Sequence, residues 1–169
     1  YSIAQNALFD ALPTGVAATG SFNYQVADGN WDFANGSDSW VYSASQDVTI
    51  TLTGTNDQPV ATVGITGEAT EDGSAVSGQL LVEPDADQAT ADQHTFQVSD
   101  MAAGEGSLTV DPGTGEYTFN PGSDFQNLGL GETRDVTFQY TATDSSGAAN
   151  ATSEPATVTV TVTGVNDAP

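Results

Sequence analysis

Apolar and polar residues alternate along most of the chain, which is the pattern of β-strands with one buried and one solvated face. The clearest case is ATVTVTVTG at 156–164, where valines alternate with threonines. The same alternation, with β-branched or aromatic residues, predicts further strands at 22–28, 47–54, 94–99, 106–110, 115–119 and 135–144. A weak helical pattern, AQNALFDAL at 4–12, predicts a turn or a short helix.

Turn-forming residues separate the predicted strands. DPGTG at 111–115 stands between two strand patterns and predicts a tight hairpin, and NPGS at 120–123 and DSSG at 144–147 predict further turns. Roughly seven short strands per repeat, with turns every 8–12 residues or so, are typical of an immunoglobulin-like sandwich. We therefore expect an all-β fold.

The sequence repeats itself. Residues 1–28 align with 117–144 without a gap, and DVTITLTGTNDQP at 47–59 aligns with TVTVTVTGVNDAP at 157–169. We expect four parts: the carboxyl-terminal half of one repeat at 1–54, a linker at 55–59, a complete repeat at 60–163, and a linker to the next repeat at 164–169. The half repeat holds too few strands to close a core. We expect a fragment of a longer chain, in which either the missing residues or another chain complete it.

Acidic residues dominate the charge. The chain has 23 Asp and Glu against one basic side chain, Arg134, for a net charge of −22. Such a surface repels nucleic acids and anionic membranes, and no apolar segment approaches the roughly 18 residues of a membrane span. Two interpretations remain: an adaptation to a salty medium, or carboxylates that converge on divalent metal ions.

Nucleophilic catalysis finds little support. The chain has no cysteine, and His94 is its only histidine. No Ser-His-Asp or zinc arrangement can be built around His94 beyond chance, and no carboxylate pair stands out for glycoside hydrolysis. We expect a protein that is not an enzyme.

An aromatic segment, NWDFANGSDSWVY at 30–42, predicts a hairpin with its turn at Asn35-Gly36. Aromatic faces of this kind stack on sugars or on a neighbouring subunit, or they cap the open end of a half domain. The candidate contact residues are Trp31, Phe33, Trp40 and Tyr42.

Three motifs together, TVTVTGVNDAP, GEATEDGSAVSG and VEPDADQAT, resemble the VCBS-type and cadherin-like tandem repeats of very large bacterial adhesins, most of which leave the cell by type I secretion. The resemblance covers 60–169 and, as a half repeat, 1–59. It implies a secreted or cell-surface protein, Ca²⁺ bound at the junctions between repeats, and neighbouring repeats of the same chain as partners.

The resemblance also implies the calcium ligands. At the start of the complete repeat they are Asn56, Asp57, Asp85, Asp87 and Asp144, and at its end Glu71, Asn166 and Asp167. Calcium is a hard cation that takes six to eight oxygen ligands, so these side chains suit it. The sequence departs from cadherins at Gly54 and Gly164, where cadherin linkers usually carry an aspartate. The glutamate that cadherins carry in an LDRE motif has only a weak counterpart, Glu132.

These observations favour a calcium-stiffened extender repeat of a bacterial adhesin, which supports adhesion or biofilm formation. Two alternatives stay open. One is a self-assembling extracellular filament subunit, whose half domain is completed by another copy, and the other is a carbohydrate-binding module that uses the aromatic hairpin.

Overall fold

The structure, a computed structural model, describes residues 12–32, 37–84 and 94–167. Throughout these ranges the secondary structure is strands, bridges, turns and bends, and none of the described residues forms a helix that could span a membrane. The predicted helical turn at 4–12 lies almost entirely outside them. Two compact units make up the chain: unit 1 is Tyr1–Thr55 and unit 2 is Asn56–Pro169.

Unit 2 is a sandwich of two sheets, as predicted. Its described part contains seven strands: β5 (Ile65–Thr70), β6 (Val76–Gln79), β7 (Thr95–Val98), β8 (Ser107–Val110), β9 (Glu116–Asn120), β10 (Thr133–Thr143) and β11 (Ala156–Thr163). One sheet has the order β5-β11-β10-β7, and the other has the order β6-β9-β8. The pairings are antiparallel except that β5, the first strand, runs parallel to β11, the last.

The core lies between these sheets because each strand turns its apolar residues inward. On β11 the valines at 158, 160 and 162 are fully buried, and the threonines between them are partly exposed. Tyr117 of β9 meets Phe138 of β10 edge to face, with 5.4 Å between ring centroids, and so joins the two sheets. Tyr140 is buried in the core, and its hydroxyl donates to the carbonyl oxygens of Thr62 (2.8 Å) and Leu81 (2.6 Å).

The predicted hairpin at 111–115 is confirmed. Strands β8 and β9 pair antiparallel with Val110 opposite Tyr117. The Asp111 carboxylate holds the turn, since its Oδ1 accepts hydrogen bonds from the amides of Gly113 (2.8 Å) and Thr114 (3.1 Å).

Unit 1 contains two separate two-stranded sheets among its described residues. Their strands are β1 (Ala17–Tyr24), β2 (Ala27–Asp32), β3 (Ser37–Tyr42) and β4 (Gln46–Thr53). Strand β1 pairs with β4, and β2 pairs with β3, both antiparallel. The β2–β3 pair confirms the predicted aromatic hairpin, although the strand expected at 22–28 is interrupted where β1 ends and β2 begins. The predicted turn at Asn35-Gly36 lies outside the described residues.

Candidate metal centre

The first candidate metal site lies at the end of unit 2 where β10 stops. Asp144 follows that strand directly, and its amide donates to the Ala151 carbonyl (2.9 Å). Asn56, the first residue of unit 2, reaches it with Nδ2, which donates to Asp144 Oδ2 at 3.0 Å. Both side chains are buried. The structure therefore brings together two of the predicted ligands that stand 88 residues apart in sequence.

The Asp144 carboxylate is held in its charged form. Burial alone would raise its pKa, but hydrogen bonds from the Ser146 side chain, from Asn56 and from the Ser146 amide, together with the charge of nearby His94, bring the pKa below its ordinary value. The amide of Ser146 donates to Oδ1 at 2.8 Å. A buried carboxylate that stays ionised is a ligand ready for a cation.

Asn150 supports this end, and sequence reasoning missed it. Its Nδ2 donates to the Asn56 carbonyl (2.7 Å), and its Oδ1 lies 3.5 Å from Asn56 Nδ2, which donates to it. Nearby, Gln58 Nε2 donates to the Thr152 carbonyl (2.7 Å). The only signal in the sequence is an amide side chain within a loop of small residues, GAANATSE. These bonds fix the linker to the loop that follows β10.

The other three ligands predicted for this end are Asp57, Asp85 and Asp87. Asp57 is exposed, directly follows Asn56, and accepts a hydrogen bond from Asn56 Nδ2 at its carbonyl oxygen (2.8 Å). Asp85 and Asp87 lie outside the described residues. The convergence of these aspartates on Asp144 stays a prediction.

The second candidate metal site lies at the other end of unit 2, around Glu71, which follows β5. This side chain is only 1% exposed, and its Oε1 accepts a hydrogen bond from the Val165 amide at 2.7 Å. Its Oε2 is buried and has no hydrogen-bond partner. A buried carboxylate oxygen without a donor is destabilising, so this oxygen has the environment of an atom that a cation would satisfy.

The outgoing linker continues from that contact. Asn166 and Asp167 are the next residues after Val165, and both are exposed. Asn166 Nδ2 donates to the Asp167 carbonyl at 2.9 Å, which repeats the arrangement of Asn56 and Asp57 at the other end. Glu71 is thereby placed beside the linker that the sequence paired with it.

The two candidate sites lie at opposite ends of the β10–β11 strand pair. Tyr140 pairs with Ala156 near Asp144, whereas Thr133 pairs with Thr163 near Glu71. Eight strand residues at about 3.3 Å each separate the ends by roughly 25 Å. One candidate site therefore stands where unit 2 begins and the other where it finishes.

The two glycines that replace the cadherin aspartate have a packing reason. A Cβ at Gly164 would lie 2.3 Å from the Gly129 carbonyl oxygen, and one at Gly54 would lie 2.2 Å from the Leu12 carbonyl oxygen. No side chain fits at either position. Glu132 stabilises a turn, because its Oε2 accepts a hydrogen bond from the Gly129 amide at 2.9 Å.

The donor set fits calcium better than zinc. Across 12–32, 37–84 and 94–167, no three His, Asp or Glu side chains gather into a metal-binding cluster by themselves. What each end offers is one buried carboxylate, Asp144 at one end and Glu71 at the other, next to a linker that carries an Asn-Asp pair. Hard oxygen donors of this mixture suit calcium, whereas structural zinc sites use cysteine and histidine.

The aromatic candidates belong to unit 1. Trp31 lies on β2 opposite Asp38, Trp40 lies on β3 opposite Gly29, and Tyr42 is exposed at the end of β3. Phe33 lies outside the described residues. Glycan or subunit contact by this hairpin stays a prediction.

Solved structures share the fold. One is mouse protocadherin-24 EC1-3, with a TM-score of 0.55 and 19% identity over 86% of this chain and 46% of that one. Another is the extracellular cadherin domains 1-4 of protocadherin gamma B7, with a TM-score of 0.51 and 13% identity over 94% of this chain and 48% of that one. The chain thus spans less than half of each. No curated protein matches the sequence.

The family described as "Bacterial cadherin-like domain" matches residues 56–164, which is most of unit 2 and well over half of the chain. Domains of this kind are non-catalytic modules typical of extracellular adhesion proteins. The sandwich topology and the family match agree. The chain belongs to the bacterial cadherin-like domain family.

Proposed function

We propose that this chain is an extender segment of a bacterial cell-surface or secreted adhesin, of the VCBS-type class exported by type I secretion, and that Ca²⁺ at the two ends of unit 2 stiffens it. The observation that carries the proposal is the buried Glu71 Oε2, which has no hydrogen-bond partner. A bound calcium ion would supply that oxygen with a cationic partner and would tie the outgoing linker to the sandwich.

The charge balance supports a cationic ligand. With 23 acidic residues and one basic residue, the chain cannot neutralise its carboxylates by internal ion pairs. The ion pair in the described residues, Arg134 with Glu105 at 3.5 Å, is partly exposed and involves neither Asp144 nor Glu71. Divalent cations bound where carboxylates are already buried relieve the repulsion most effectively.

A mechanical role follows from the position of the two ends. The linker residues at each end contact a buried carboxylate: Asn56 contacts Asp144, and Val165 contacts Glu71. Calcium at these places would restrict the linkers and so limit bending between successive repeats. A stiffened array would hold a distal binding region away from the cell, which serves adhesion or biofilm formation.

A calcium titration of the whole chain tests the site, with isothermal calorimetry and thermal unfolding as the two readouts. At a calcium concentration 100 times Kd, we expect the melting temperature of unit 2 to rise by about 10 °C. Glu71→Gln should remove most of the rise. Its matched control is Glu68→Gln, an exposed glutamate on the same strand, β5, which should leave the rise intact.

The other end has an equivalent pair of variants. Asp144→Asn should reduce the number of ions bound per chain, whereas Asp135→Asn, which changes an exposed residue within β10, should not. A melting temperature that ignores both calcium and excess chelator would contradict the proposal. Small-angle scattering adds the mechanical test: chelator should shorten the maximum dimension of the particle.

A further inference from the structure

Strands β1 and β4 of unit 1 correspond to β10 and β11 of unit 2. Phe22 lies opposite Val48 in unit 1, and Phe138, the residue aligned with Phe22, lies opposite Val158 in unit 2. The two copies share the register of this strand pair. The segments that join the two strands can therefore be compared directly.

The joining segments differ between the units. In unit 2, residues 144–155 join β10 to β11 and contain no aromatic residue. In unit 1, residues 25–45 join β1 to β4, form the β2–β3 hairpin and contain both tryptophans of the chain. Since unit 2 makes the same connection without aromatic residues, the connection itself does not require them. Binding sites are commonly added to a fold in this way, on a segment between conserved strands.

The counterpart of the Asp144 candidate metal ligand is also part of this hairpin. Asp28 aligns with Asp144, but it is exposed and lies within β2, opposite Val41. Asp144 instead follows its strand, is buried and contacts Asn56. The corresponding part of unit 1 is therefore built differently from the candidate metal site of unit 2.

The hairpin has a defined base. The Ser43 amide donates to the Val26 carbonyl at 2.8 Å, and the Val26 amide donates to Ser43 Oγ at 2.9 Å. Gln25 Nε2 donates to the Ser43 carbonyl at 3.2 Å. Beyond this base, six residue pairs continue the two strands.

The register collects the aromatic positions on one face of the hairpin, because alternate positions of paired strands share a face. This face, called the aromatic face, takes three residue pairs: Ala27 with Tyr42, Gly29 with Trp40, and Trp31 with Asp38. The opposite face takes the other three pairs: Asp28 with Val41, Asn30 with Ser39, and Asp32 with Ser37. Trp31, Trp40 and Tyr42 thus occupy three successive pairs of the aromatic face.

The aromatic face is long enough for a chain of several sugar units. Successive positions on one face of a strand are about 6.8 Å apart, so the three pairs span about 14 Å. Tyr42, at the end nearer the base, is 61% exposed. Within the described residues, β2 and β3 pair only with each other.

Charge restricts the class of ligand. Residues 1–59 contain no lysine, arginine or histidine, so a ligand with phosphate, sulfate or carboxylate groups would be repelled. The aromatic face itself has one acidic position, Asp38, against three aromatic ones, so stacking on rings outweighs charge pairing there. A neutral carbohydrate offers what this face can use: flat C–H surfaces for the rings and hydroxyl groups that donate to a carboxylate.

We propose that the aromatic face binds a neutral oligosaccharide chain, with Trp31, Trp40 and Tyr42 stacking on the sugar rings and Asp38 accepting hydrogen bonds from their hydroxyl groups. Phe33 lies outside the described residues and forms no part of this site. The chain then contacts a glycan through unit 1, in addition to any extender role of unit 2. The site is independent of the candidate calcium sites.

The test is a titration of the whole chain with four neutral hexasaccharides: cellohexaose, laminarihexaose, chitohexaose and mannohexaose. Tryptophan fluorescence reports on the hairpin alone, because both tryptophans lie in it, and isothermal calorimetry gives the affinity. Chelator is present throughout, which keeps the result independent of calcium. We expect at least one neutral hexasaccharide to produce a saturable change in emission, with an affinity that ionic strength leaves unchanged. Hexagalacturonate, the anionic control, should produce none.

Three substitutions locate the contact. Trp40→Ala and Tyr42→Ala, on the aromatic face, should each weaken binding at least about tenfold. Val41→Ala, on the opposite face, should leave the affinity unchanged. Amide hydrogen exchange of β2 and β3 verifies that each variant keeps the hairpin, and Trp40→Phe, which retains a ring, should recover most of the affinity.

Four results would overturn the proposal. The first is no binding of any of the four neutral hexasaccharides, and the second is an equal loss of affinity in Val41→Ala and Trp40→Ala. The third is binding that disappears as ionic strength rises, which would indicate a charge contact. The fourth is an emission change that follows protein concentration instead of sugar concentration, which would indicate that the aromatic face binds a second copy of the chain.

Discussion

Strands β1 and β4 in unit 1 and strands β10 and β11 in unit 2 pair in the same register, yet only the second pair is buried. The same alternating pattern in the two copies goes with the same register and the same assignment of side chains to faces. Burial of that face depends on residues far away in the sequence. The comparison separates the local contribution to this fold from the contribution of the opposite sheet, and four predictions test it.

The largest difference concerns the central phenylalanine. Phe138→Ala should destabilise unit 2 by about 3–5 kcal/mol because it leaves a cavity beside Tyr117, whereas Phe22→Ala should cost less than about 1 kcal/mol. Both tryptophans belong to unit 1, so tryptophan fluorescence follows its unfolding, and amide exchange of β10 and β11 follows unit 2. Equal costs in the two units would refute the difference in burial.

A smaller effect should be shared by both units. Gly164→Ala and Gly54→Ala each place a Cβ within 2.4 Å of a backbone oxygen, and we expect each to destabilise its own unit by about 2–3 kcal/mol. Denaturant unfolding with the same two probes measures it. Gly147→Ala is the control for steric contact, since a Cβ there meets nothing within 4 Å and only the positive φ opposes it.

Tyr140→Phe should lower the free energy of unfolding by about 1–2 kcal/mol more than Tyr24→Phe does. Tyr140→Phe removes a hydroxyl that donates to two carbonyl oxygens, in a side chain that is almost fully buried. Tyr24→Phe alters a side chain that is nearly half exposed. Chemical denaturation of both variants gives the comparison. A Tyr140→Phe chain as stable as the parent would show that these bonds contribute nothing.

The smallest effect is a dependence on alkaline pH. Burial raises the pKa of Tyr140 and of Tyr117, so the folded state holds their protons after unfolded tyrosines, with a pKa of about 10, have lost theirs. The stability of unit 2 should be complete below pH 10 or so and fall as pH rises through the folded-state pKa values. Tyr140→Phe should flatten this fall, and an equal slope in parent and variant would contradict it.

Alternation predicted the strongly apolar strands β10 and β11 and the hairpin at 111–115, because those features depend on neighbouring residues. It missed β5 and β6, which contain glycines at 67 and 78. The structure gives the reason: Tyr117 packs across both, so that a Cβ at Gly78 would lie 2.3 Å from its ring, and one at Gly67 would lie 3.1 Å from its hydroxyl. Sequence patterns do not reveal that a strand has glycine to make room for a distant ring.

The candidate site was predictable by residue type but not by environment. The resemblance to cadherin-like repeats selected Asn56, Asp144 and Glu71 as ligands. It could not show that Glu71 is buried with one oxygen lacking a donor, because that depends on how Val165 returns to it. Asn150 was not predicted as part of the site because its two bonds to Asn56 span 94 positions.

The parallel pairing of β5 with β11 has a consequence under force. These are the first and last strands of unit 2, and six residue pairs join them, from Ile65 with Val158 to Thr70 with Thr163. Tension applied through the two linkers pulls the strands in opposite directions along their common axis. The hydrogen bonds between them then bear shear together instead of opening one at a time, and a single-molecule pulling trace of unit 2 should show one high rupture peak.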